Sequence, residues 1–169
     1  MGKVAALWGV AGITALLSFA IYRLTQISLD SLRFNYEWYH WVILIANAIF
    51  MSYTEGFRGF QRAFSPRAAA RARYIRDNPT AARTVLAPLF CMGYFHTNTR
   101  RLISVYLLTG AILILILIFN QLNQPWRGLL NVGVVCGLLW GVLSFLRCSI
   151  LALGRGAFNH SPELPSDSP

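Results

Sequence analysis

Residues 58–101 read RGFQRAFSPRAAARARYIRDNPTAARTVLAPLFCMGYFHTNTRR. This stretch carries nine arginines against one acid, Asp77, a net charge of +8 in a chain whose total is +9. Uncharged apolar runs stand on both sides of it. The charge therefore lies beside hydrocarbon-compatible sequence, and its natural counter-charge is an anionic lipid headgroup rather than nucleic acid.

The rest of the composition agrees. The chain is 56% hydrophobic and only 12% charged over 169 residues, whereas soluble domains carry about 25% charged residues. Cys91, Cys136 and Cys148 show no metal-ligand spacing and read as small packing residues.

Working outward from the basic stretch gives four spans, at about residues 4–22, 40–57, 102–119 and 129–153. The first lies between Lys3 and Arg23. At 1.5 Å per residue it covers about 28 Å, close to the thickness of a hydrocarbon core. Its apolar run exceeds that of a signal peptide, and no A-x-A site follows, so it is expected to be retained. Ala5/Gly9 and Ala11/Ala15 place small residues one turn apart on it. Residues 24–37 read as a polar connection with a short interfacial helix near Ser28 and Ser31. Trp38, Tyr39, His40 and Trp41 then form an aromatic belt that opens the second span. Between the third and fourth spans lies only a short polar turn, which predicts antiparallel neighbours.

Within the basic stretch, Ser65-Pro66 predicts a helix start with Ser65 as N-cap, and Asn78-Pro79 predicts its stop. The arginines project all round this helix, so it is expected to lie as an interfacial platform on the membrane. A second, apolar patch near residues 84–96 is short for a span and reads as interfacial or re-entrant, with a fifth span over 84–99 as the alternative. Residues 1–158 thus form one membrane domain, and the tail 159–169, rich in proline and serine, reads as disordered. Counting Lys and Arg on each side gives twelve against three, which sets the basic stretch and both termini in the cytoplasm. A bacterial inner membrane is the expected location.

Three constellations are candidates for chemistry. The first is the basic set Arg58, Arg62, Arg67, Arg71, His96, Arg100 and Arg101, which suits phosphate contact; arginine outnumbers lysine fourteen to one. The second is the intramembrane polar set Asn47, Glu55 and Arg147. Asn47 is expected to donate to a neighbouring helix, and Glu55 to form a cluster with Arg58 and Arg147. The third is the ladder Gly133, Gly137, Gly141 on span four, suited to close packing within the bundle or to a homodimer or membrane partner.

No P-loop, GxSxG, HExxH or paired-acid motif is present, no metal or cofactor set emerges, and no catalytic residue can be named. The expectation is an all-α integral membrane protein. It reads as a non-enzymatic accessory or assembly subunit that contacts anionic phospholipid and not nucleic acid. Two alternatives stand beside it. One is a lipid-handling enzyme or carrier gripping a phosphate headgroup near Glu55, His96, Arg100 and Arg101. The other is a small oligomeric channel or transporter around Asn47 and Glu55.

Overall fold

The computed structural model describes residues 1–154, 158 and 160–164. Its regular structure is helical throughout: α1 (Gly2–Ser31), α2 (Trp38–Met51), a π-helical segment (Ser52–Phe64), α3 (Ser65–Asp77), α4 (Ala81–Val85), α5 (Ala87–Met92), α6 (Thr99–Gln121) and α7 (Trp126–Leu153). Three helices, α1, α6 and α7, are long and apolar enough to cross a membrane.

Three rods build the bundle: α1, α7, and the unbroken run of α2, the π segment and α3. α1 and α7 are antiparallel. At one end the Ser28 hydroxyl donates to the Gly128 carbonyl at 3.4 Å. At the other, Gly2 abuts the Arg76 carbonyl, and Arg76 Nη1 donates to the Leu153 carbonyl at 3.0 Å. The third rod runs parallel to α7, with Asn47 beside Gly133, Glu55 beside Gly137 and Phe60 beside Gly141. Ser65 lies beside Ser144, their hydroxyls 3.1 Å apart.

The first helix is longer than expected. It runs without a break to Ser31, and the connection to α2 is only residues 32–37. Ser28 and Ser31 do not start a new helix. Their hydroxyls bond back to the carbonyls of Leu24 and Ser28, at 2.9 and 2.6 Å, so they are satisfied inside the turn. The belt closes this end of the bundle: Ser31 meets the Tyr36 hydroxyl at 2.6 Å, and His40 lies 5.1 Å from Trp126.

The basic helix does not lie apart from the bundle. Ala68, Ala69, Ala70, Ala72 and Ile75 are buried, and α3 packs between α1, α7 and α5. Alanines allow that close approach. Ser65 is not an N-cap, because the chain is already helical before it: its amide donates to the Phe60 carbonyl in the i→i+5 pattern of the π segment. Asn78 does end the helix.

The apolar patch after it forms two short helices broken at Leu86, two residues before Pro88. They sit against the first half of α1, with Ala87 and Cys91 on Gly9 and Pro88 on Gly12. Gly12 is about 15 Å along the axis from the start of α1. The core of the protein lies at this level, joining Ile13, Leu17, Ile75, Phe90 and Phe145.

α6 stands apart. None of its residues is buried, and it packs along no other helix among the described residues. The expected antiparallel pairing with α7 does not form, despite the short link. α7 packs instead against α1, α2, the π segment and α3, and its Leu139, Leu143, Ile150 and Leu151 stay exposed.

Candidate functional site

Arg71 is the organising side chain of the basic segment. It projects from the alanine face of α3 and is 3% exposed. Its guanidinium donates to four carbonyls: Phe90 at 2.7 Å, Phe95 at 2.7 Å, His96 at 2.8 Å and Pro162 at 3.0 Å. It also stacks 4.3 Å from the centre of the Phe90 ring. These carbonyls converge because the chain reverses after α5. Gly93 takes a left-handed φ of 90° and His96 one of 51°, conformations that glycine adopts freely and other residues seldom do. Burial lowers the Arg71 pKa to about 10, so it stays charged at neutral pH.

Arg67 lies one turn earlier on α3, and Arg101 in the first turn of α6. The Glu163 carboxylate stands between them, 3.8 Å from Arg67 Nη1 and 3.7 Å from Arg101 Nε. Thr97 Oγ1 donates to the Glu163 carbonyl at 3.1 Å. Both ion-pair distances exceed hydrogen-bonding range, and Arg67 Nε is buried without a partner among the described residues. A cavity of about 10 Å³ remains between these groups, near the minimum for one water. Burial lowers the Arg67 pKa, the Arg101 charge lowers it further, and Glu163 partly offsets both.

The predicted basic set is therefore divided. Arg67 and Arg101 meet in one cleft. Arg71 lies behind them, its donors taken by carbonyls, which leaves it positioned to shape the cleft rather than to meet a headgroup. His96 contributes its carbonyl there, while its side chain is exposed. Arg58, Arg62 and Arg100 are exposed; Arg62 lies over the Phe57 ring at 4.6 Å.

The expected Arg58–Glu55–Arg147 cluster is absent: among the described residues no ion pair within 4.0 Å joins these three. Glu55 is level with Gly137, and Arg147 lies ten residues further along α7, about 15 Å away along the axis. Arg58 is i+3 to Glu55, but both stand in the π segment, whose wider turn moves i+3 off the shared face.

Asn47 does donate to a neighbouring helix, to the carbonyls of Leu129 and Leu130, both at 3.1 Å. The glycine ladder is occupied within the chain. A Cβ on Gly137 would lie 3.0 Å from Glu55 Cβ, and one on Gly141 would strike the Phe60 ring.

The tail also differs from expectation. Asn159 and residues 165–169 lie outside the described residues, but 161–164 return to the bundle. Pro162 meets Arg71, Glu163 meets Arg67 and Arg101, and Leu164 packs against the core. Glu163, Pro162 and Thr97 were not among the candidates read from sequence. The available signal was the segment Pro162-Glu163-Leu164-Pro165, an acid and a leucine between prolines in a chain with six acids in all. No protein-family model, curated protein or solved structure matches this chain.

Proposed function

We propose that this is a small polytopic inner-membrane protein without a catalytic role of its own, an accessory subunit whose basic side rests on anionic phospholipid headgroups. The carrying observation is the surface charge. Arg58, Arg62, Arg100 and Arg147 are exposed, and among the described residues no carboxylate lies within 4.0 Å of them; Arg58 and Arg62 stand deeper along the bundle than Arg147, so their long stems reach the headgroups by snorkelling. Each such cation near an anionic surface contributes about 1 kcal/mol of attraction.

Four crossings are the topology proposed. In its favour, the α2–π–α3 rod follows α7 from Asn47 beside Gly133 to Arg76 at Leu153. α2 alone is 14 residues, too short to cross, but the continuous rod is not. The N-terminus of α1 and the C-terminus of α7 share one end of the bundle, and the lysine and arginine count assigns that end to the cytoplasm. α6 is taken as a lipid-facing helix. Ile112 to Ile118 are all aliphatic and all exposed, and Gly110 has nothing within 4 Å.

Native mass spectrometry of the protein extracted with its annular lipids tests this. Phosphatidylglycerol or cardiolipin adducts should exceed zwitterionic ones. Replacing Arg58, Arg62 and Arg100 together by glutamine should remove that excess. An unchanged lipid profile would sink the reading.

A further inference from the structure

We infer that the cleft between Arg67 and Arg101 is a binding site for a dianionic phosphate monoester, and that Glu163 occupies it as an internal competitor. This deepens the headgroup-contact reading by giving it one discrete site. Among the described residues, three guanidinium groups, those of Arg67, Arg71 and Arg101, gather here around a single carboxylate, an excess of two positive charges. A phosphate monoester carries close to two negative charges at neutral pH and three acceptor oxygens.

The carboxylate also fits the cleft poorly. It spans the two arginines at 3.7 and 3.8 Å, too far for hydrogen bonds. Arg67 Nε, buried and without a partner among the described residues, is a donor that the carboxylate leaves unused. A tetrahedral oxyanion is wider than a carboxylate and offers a third oxygen. Arg71 holds the cleft in shape because its four carbonyl bonds tie α3 to the turn after α5 and to Pro162.

The competitor is a short segment. Residues 161–164 meet the bundle through hydrogen bonds from Arg71 to Pro162 and from Thr97 to Glu163, the two ion pairs of Glu163 and the Leu164 side chain. A ligand that displaces the carboxylate would release this segment from the cleft. The same phosphate chemistry is available from a lipid headgroup such as that of phosphatidic acid or from free phosphate.

The test uses the full-length protein in detergent and in nanodiscs. One arm titrates inorganic phosphate; the other compares phosphatidylcholine nanodiscs with and without phosphatidic acid. Glu163→Gln should tighten binding several-fold. Arg101→Gln, half-buried in the first turn of α6, should weaken it about tenfold, as expected for a lost charge-assisted contact. Asp77→Asn, which removes an acid paired with Arg73 and Arg76 elsewhere on α3, should leave it unchanged. Equal gains from Glu163→Gln and Asp77→Asn would reduce the effect to general electrostatics and overturn the site. Binding that ignores Arg101→Gln would overturn it as well. Site-dependent binding of inorganic phosphate with no response to phosphatidic acid would uphold the site and assign it to free phosphate. Anionic-lipid enrichment that survives Arg101→Gln but not the loss of Arg58, Arg62 and Arg100 would uphold the surface reading while removing the site.

Discussion

The side-chain amide of Asn47 fills the space that Gly133 leaves open: a Cβ on Gly133 would collide with it, and the amide donates to the two carbonyls three and four residues earlier on α7. The two positions act as one unit. Asn47→Ala alone should cost only about 0.6 kcal/mol, the mean for such bonds between membrane helices. Gly133→Ala alone should cost about 1–3 kcal/mol through overpacking. The double variant should be less destabilised than the sum, with a coupling of about 1 kcal/mol. Unfolding in mixed micelles measures all three.

Gly137 separates packing within the chain from association. Its face is closed by Glu55 Cβ and the Met51 carbonyl, each about one atom contact away. Gly137→Leu should lower stability by about 2–3 kcal/mol and leave the mass measured by light scattering unchanged. A shift from dimer to monomer with stability intact would assign this face to a second copy instead.

Arg71 should tolerate no substitute. Arg71→Met leaves the carbonyls of Phe95, His96 and Pro162 without the guanidinium donor, while Phe90 keeps only the Gly93 N–H, at a cost of about 3 kcal/mol or more. Arg71→Lys should not rescue it, since a point-charge ammonium cannot reproduce the planar fork. Thermal unfolding and proteolysis at the docked tail should change together.

Cys91 should resist alkylation in the folded protein and react once unfolded in SDS. It is buried against Gly9, and burial raises its pKa to about 12, with the Arg71 charge opposing only in part. The raised value favours the folded state fully below pH 9, the ordinary thiol range, and that contribution fades as pH climbs through about 12. No stability change between pH 6 and 8, as orders of working range, is expected from this group.

Truncation on α6 and in the core should give opposite results. Leu107→Ala or Ile114→Ala should shift stability by less than about 0.5 kcal/mol, because both side chains face away from the protein. Phe145→Ala, fully buried among α1, α3 and the π segment, should cost about 3–5 kcal/mol.

The long helices were legible because hydropathy alone marks them: α1, α6 and α7 cover three of the stretches read as spans. Asn47 was legible because a polar group in hydrocarbon has few alternatives to a neighbouring carbonyl. The interior of the basic stretch was not. Projection at the α-helical angle treats Arg71 like Arg67, and nothing local announces that the alanines beside Arg71 face α1 and α7. The π segment misled in the same way, since pairing Glu55 with Arg58 assumes 3.6 residues per turn. The Glu163 contact joins residues 62 and 96 positions apart, beyond the reach of any local pattern.

The parallel course of the α2–π–α3 rod and α7 has a consequence for biosynthesis. Asn47 donates to carbonyls 82 and 83 residues later, and α1 closes on the last helix. While the ribosome is still making α6, the first two hydrophobic segments have no α7 to pack on, and the Asn47 amide has no acceptor there. The nascent chain must hold an incomplete bundle until α7 arrives. Ribosome-stalled intermediates ending before residue 126 should therefore be the stage at which an insertion chaperone or quality-control protease engages this protein.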